Sequence, residues 1–228
     1  MALILQIETS TISCSVALAE NGATIACKEA SERNIHASSI TLFIEEVMKS
    51  AGKGLSDLDA VAVSKGPGSY TGLRIGVSTA KGLCYALDVP LIAIDTLKAM
   101  ASNREVNSGN AASLLCPMID ARRMEVYTAV YDNVLNEIIP VSAKIIDENS
   151  FADLLDSRKM LFFGDGAGKC MEILGRKANA SFITTFENSA SDMSEEAFKR
   201  FNQQLFEDIA YFEPYYLKDF VATTPKVI

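Results

Sequence analysis

A glycine-rich run, Gly66-Pro-Gly-Ser-Tyr-Thr-Gly-Leu-Arg-Ile-Gly76, is the first place to look for chemistry in this chain. It follows a short apolar strand, Ala60–Ser64, and precedes a helix expected from Thr71 to Leu87. Strand, glycine loop and helix together form phosphate sites, because unpaired backbone N–H groups converge at the helix start. The spacing argues against that use here. Gly66, Gly68 and Gly72 give Gly-x-Gly-x-x-x-Gly, longer than the dinucleotide fingerprint, which also requires a βαβ unit. A second run, Gly164-Asp-Gly-Ala-Gly168-Lys169, misses the P-loop pattern: Gly168 comes too early, and Cys170 stands where a hydroxyl is needed.

A structural reading accounts for more of the first run. Gly66, Pro67, Gly68, Ser69, Tyr70, Thr71, Gly72 and Arg74 read as a tight strand-to-helix turn. Gly72, Gly76 and Ala80 then fall at i, i+4 and i+8, leaving one helix face almost bare. Interior glycines cost roughly 1 kcal/mol each relative to alanine, so a close backbone neighbour is expected there. The neighbour expected is the preceding helix or a second protein; packing on the chain's own sheet is the alternative.

Catalytic constellations are sparse. The single histidine, His36, excludes a His-x-x-x-His metal motif and is expected as an exposed or capping residue at a helix start. A Ser–His–Asp triad is not excluded by counting, but no Gly-x-Ser-x-Gly elbow is present. Glu8 and Asp120 each follow the first strand of a half and are expected either to cap turns or to touch a cation or phosphate. Cys14, Cys27, Cys84, Cys116 and Cys170 include no Cys-x-x-Cys pair, so reduced, buried thiols in a cytoplasmic protein are expected. No metal site and no catalytic residue is assigned.

These residues must be positioned by an α/β chain of 228 residues, 49% hydrophobic, with a formal net charge of -8. That charge disfavours independent nucleic-acid binding, and no apolar run is long enough to span a membrane. Leu3–Glu8, Ser13–Ala19 and Ala23–Lys28 are expected strands, with Asn21-Gly22 as a hairpin turn. A helix at His36–Ala51, with Asn34 as N-cap, carries a wide apolar stripe. Pro90–Ile94 is a further strand and Thr96–Asn103 a helix. The polar stretch Asn103–Asn110 separates an N-terminal lobe, 1–102, from a C-terminal lobe, 103–228. The pattern then partly repeats: strands at Leu114–Ile119, Glu125–Tyr131, Ile138–Ile146 and Met160–Phe163, and a short helix at Asn149–Asp156. An amphipathic helix at Asp192–Phe206 shows a capping box, Asp192 with Glu195, and an irregular arm begins at Phe212.

Leu5-Gln-Ile-Glu8-Thr-Ser10, the run from Gly66 to Arg74, Gly76-Val-Ser-Thr-Ala-Lys-Gly82 and Met118-Ile-Asp120-Ala-Arg122 resemble the TsaB (YeaZ) family in order and spacing along nearly the whole chain. The resemblance implies the ribonuclease H-like fold of the actin, sugar-kinase and Hsp70 superfamily: two lobes, each a mixed sheet flanked by helices. It implies a non-catalytic subunit supporting the paralogue TsaD, which forms N6-threonylcarbamoyladenosine at position 37 of tRNAs reading A-starting codons. TsaE, an ATPase, joins that assembly; tRNA is reached only through the complex, and no cofactor is implied. TsaD-like members carry a His-x-x-x-His motif that this chain lacks. Gly164 and Gly166 lie where such folds place an adenosine loop, and with Glu8 and Asp120 are the weak candidates for nucleotide contact. The resemblance places contacts with TsaD, or with a second copy, on the first two helices: Ala37, Ile40, Phe43, Ile44, Val47, Gly72, Leu73, Gly76, Ala80 and Leu83. A glycoprotease-like peptidase and an ATP-binding, kinase-like enzyme are the rival readings.

Overall fold

The computed structural model describes residues 1–32, 35–108 and 113–218. Its first half runs β1 (Leu3–Glu8), β2 (Ser13–Glu20), β3 (Ala23–Ser31), α1 (His36–Ser50), β4 (Ala60–Gly66), α2 (Tyr70–Leu87), β5 (Leu91–Asp95) and α3 (Thr96–Ser102). After α4 (Arg104–Ser108) come β6 (Ser113–Asp120), β7 (Glu125–Tyr131), β8 (Glu137–Ile145), α5 (Ala152–Leu155), β9 (Lys159–Phe163), α6 (Ala167–Leu174), β10 (Ala180–Ile183) and α7 (Ser194–Asn202). The sheets have orders β3-β2-β1-β4-β5 and β8-β7-β6-β9-β10. In each, the first three strands are antiparallel and the last two parallel to the first. This twice-used order is the ribonuclease H-like fold expected from the resemblance.

Side-chain alternation divides the core. Leu3, Leu5 and Ile7 of β1 face α1 and α2, whereas Ile4 faces the other side with Ala62 and Ile92. That other side is covered by residues from the far end of the chain: Ala190, Met193 and Ala197. Helix α3 sits between the sheets, with Ala99 toward the first and Leu97 and Met100 toward the second. A cut at residue 103 therefore separates the sheets but not the helices that cover them.

Several local expectations change. The capping box at Asp192 does not form. Instead, a 3-10 helix, Ala190–Met193, is capped by the Ser189 hydroxyl, and α7 begins only at Ser194. Tertiary partners take the capping groups: Asn103 Nδ2 donates to Asp192 at 2.9 Å, and Arg104 pairs with Glu195 at 2.7 Å. The helix stops at Asn202 rather than Phe206, just before Gln204 at φ 55°. His36 is buried rather than exposed, with its ring Nε2 3.2 Å from the Ser13 carbonyl. The expected N-cap Asn34 lies outside the described residues; Ile35 holds that position without a side-chain bond. Phe151, at φ 59°, shortens the expected helix at 149–156 to Ala152–Leu155. Helix α6, strand β10 and the short α4 have no counterpart in the sequence pattern, and Cys27 is exposed.

Asp192 is half-buried, with its Oδ2 enclosed and without a hydrogen-bond partner among the described residues. Burial pushes its carboxyl from 3.8 up to about 7; repulsion from Glu8 and Glu29 adds to this, while the Asn103 bond opposes it. An acid whose folded value lies above its unfolded one leaves the native state holding more protons between them. Its contribution to stability is thus fully present below about pH 4 and lost as pH rises through about 7. Urea unfolding across this interval should show the wild type losing stability relative to Asp192→Asn by a few kcal/mol, on the order of 1.4 per unit. Parallel pH profiles would remove Asp192 as the cause.

Candidate functional site

The glycine-rich turn is built by close backbone approach to the β1–β2 turn. The Ser69 hydroxyl caps α2 by accepting from Gly72 N at 3.3 Å. Ser69 N donates to the Ser10 carbonyl at 2.6 Å. A Cβ on Gly68 would collide with that carbonyl, one on Gly72 with the Thr9 carbonyl, and one on Gly76 with the Thr9 hydroxyl. The Thr9 hydroxyl itself donates to the Gly72 carbonyl at 2.8 Å. At Gly72 and Gly76 the bare face is thus filled by this chain's own Thr9. Gly72, Leu73, Gly76 and Ala80 are buried, as are Ile40, Phe43, Ile44 and Val47 of α1. Of the expected interface residues, only Ala37 is exposed and Leu83 half-buried.

The arm completes the turn. Tyr215 N donates to Lys65 O at 2.7 Å, and its carbonyl lies where a Cβ on Gly66, at φ 116°, would come within 2.6 Å. The Tyr70 and Tyr216 rings pack at a tilt with centroids 4.9 Å apart, and Arg74 lies 4.3 Å over the Tyr70 ring while donating to the Tyr216 hydroxyl at 3.2 Å. Lys81 holds the carbonyls of Ala210 and Phe212.

Glu8 and Asp120 both act as turn caps. Ser10 N and the Ser64 hydroxyl donate to Glu8 at 2.6 and 3.1 Å; Arg122 N donates to Asp120 at 2.9 Å. Burial pushes the Glu8 carboxyl up, against the pull of these hydrogen bonds. Asp120 is exposed and paired with Lys169. Gly164, at φ 103°, and Gly166 press against the Met118 carbonyl and the Ile119–Asp120 peptide, so the second glycine run repeats the packing role of the first. Among the described residues no cluster of three or more metal-ligating side chains occurs, and no helix is long and apolar enough to cross a membrane.

What remains open is the outward side of α1 and α2. Ser78, Gly82 and Ala86 form a second small-residue stripe, opposite the buried one, and a Cβ on Gly82 would meet nothing within 4 Å. Leu42 of α1 and Tyr85 of α2 are 56% and 84% exposed. The spacing of Ser78, Gly82 and Ala86 is legible in the sequence; which stripe faces outward is not. The two stripes separate on substitution. Gly72→Ala should cost about 1–3 kcal/mol by forcing Thr9 aside, whereas Gly82→Ala should stabilise by up to about 1 kcal/mol. Thermal and urea unfolding of the two variants checks this; equal effects would mean the Thr9 contact does not fix the helix.

The TsaD family model, tRNA N6-adenosine threonylcarbamoyltransferase, matches residues 23–225. The tRNA threonylcarbamoyladenosine biosynthesis protein TsaB of Escherichia coli is 38% identical over 135 residues, covering 59% of this chain and 57% of that protein. TsaB of Bacillus subtilis is 34% identical over 170 residues, covering 71% and 70%. The match thus spans little more than half of the Escherichia coli relative. The structure of YeaZ from Pseudomonas aeruginosa superposes with a TM-score of 0.82 at 26% identity, over 95% of this chain and 100% of that one. Shared motifs, a shared fold over nearly the whole length and this identity to TsaB proteins make the chain a member of the TsaD/TsaB family, on its TsaB (YeaZ) side.

Proposed function

We propose that this chain is a non-catalytic subunit that supports a TsaD threonylcarbamoyltransferase in forming N6-threonylcarbamoyladenosine at position 37 of tRNAs reading A-starting codons. The observation that carries this reading is the outward surface of α1 and α2, where exposed Leu42 and Tyr85 accompany the stripe Ser78, Gly82 and Ala86. Small residues at a crossing let two helices approach closely, and an exposed tyrosine beside them supplies buried area at low entropic cost. A helix pair of the same fold, on TsaD or on a second copy, is the complementary surface, so self-association competes with the heterodimer. TsaE and tRNA then join through the complex.

The chemistry of the candidate residues supports the absence of a catalytic role. Among the described residues the one histidine meets a backbone carbonyl and no hydroxyl, and the carboxylates of Glu8 and Asp120 are engaged by their own turns. The bare face of α2 brings the helix backbone up to the β1–β2 turn, the turn that binds phosphate in nucleotide-binding members of such folds.

Leu42→Glu combined with Tyr85→Glu should weaken complex formation with TsaD by roughly 30-fold or more, the equivalent of about 2 kcal/mol for interface anchors. Both side chains are exposed, so the unfolding midpoint should stay within a few degrees. The measurement is co-purification followed by titration calorimetry. Unaltered affinity in the folded double variant would sink the assignment. Retained affinity alongside lost self-association would confine this face to the homodimer.

A further inference from the structure

The turn between β6 and β7 is unlike its counterpart in the first half. The β1–β2 turn is buried under α2, whereas Arg122 and Arg123 stand exposed at the tip of the second turn. Both take left-handed backbone conformations, at φ 72° and 50°, which side-chain-bearing residues rarely adopt. Neither guanidinium has a hydrogen bond or ion pair among the described residues, although carboxylates are close. Those carboxylates are taken: Asp120 by Lys169 and by the Arg122 amide, Glu125 by Lys218 from the arm. Asp165, the third acid, is exposed, and its Oδ1 accepts from Asp120 N. Tyr127, half-buried on β7, lies within the electrostatic reach of Arg122 and Lys218. An acidic chain of net charge -8 therefore carries a local strip where four cations outnumber the carboxylates, with tyrosine beside it.

We propose that this strip contacts the phosphodiester backbone of RNA, with Arg122 and Arg123 as the two cations that reach phosphate. The proposal rests on the reading that the assembly acts on tRNA, and it adds a direct contact from this chain. A planar guanidinium matches a phosphate in geometry and is weakly hydrated, so it gives up water readily on contact. Charge also decides between an RNA and a protein as occupant. The centre of a protein interface is depleted of charged residues, whereas backbone contacts to nucleic acid are made by them. The rest of the chain repels a polyanion, so the strip confines contact to one edge rather than giving general affinity.

The test uses the full-length chain, alone at low salt and with purified TsaD at several salt concentrations, titrated with an unmodified tRNA transcript. Arg122→Gln with Arg123→Gln should lower affinity at every salt concentration and reduce the slope of log affinity against log salt by about 2, one unit per lost phosphate contact. Arg122→Lys with Arg123→Lys should restore most of that slope, since it keeps the charge on the same backbone. Co-purification with TsaD should not change in either variant. Equal affinity and slope for the Gln variant and the wild type would overturn the proposal. Loss of TsaD binding in the Gln variant would also overturn it, by assigning the turn to a protein contact. Should the wild type fail to bind TsaD, the subunit reading falls, while the titration of the chain alone still decides the RNA contact.

Discussion

The position of the whole N-terminal half depends on one close approach, that of the Thr9–Ser10 turn to the glycine face of α2. Three glycines spaced along one side of the segment remove every side chain that would hold the helix away from β1. The gap is closed by backbone: the Ser10 carbonyl takes Ser69 N, and the Thr9 hydroxyl reaches the Gly72 carbonyl. Glu8 ties the same turn from beneath through Ser10 N and Ser64. Once the inward face of α2 is fixed in this way, its outward face is fixed too. The orientation of Ser78, Gly82 and Tyr85 toward solvent is a consequence of what Thr9 occupies on the other side.

The two halves use one topology for different ends. In each, a strand runs into a short turn, and a Gly-x-Gly segment after the fourth strand presses against it. In the first half the acid at the turn is buried and its helix has closed over it. In the second, Asp120 stays exposed and paired with Lys169, and the turn projects past it. The same frame is used twice, and burial of one turn left the other as the accessible one.

Much of the frame is legible in the order of residues alone. Alternating Leu3, Leu5 and Ile7 mark a two-sided central strand, and β7 has the bounds its pattern implies. The glycine spacing announces a close neighbour but cannot name it, because a missing side chain records space and not its occupant. Asp192 and Glu195 fit a helix cap locally, yet Asn103 and Arg104 from a distant segment claim them. Helix α6 is obscured by the glycines at its start. The arm shows no period because it is held by its backbone at Tyr215, against Lys65 and Gly66, and by the isolated side chains of Tyr216 and Lys218.

The covering of the first sheet by Ala190, Met193 and Ala197 bears on how the protein is born. Strands β1 to β5 leave the ribosome early, with α1 and α2 available to seal one face. The opposite face, with Ile4, Ala62 and Ile92, waits for residues that follow the whole second sheet in the chain. Domains generally fold as units during synthesis, and exposed apolar sheet surface invites association in the meantime. The nascent first lobe is therefore half-clad until the second sheet has been synthesised. That interval leaves the face of Ile4, Ala62 and Ile92 open to chaperones until α7 arrives.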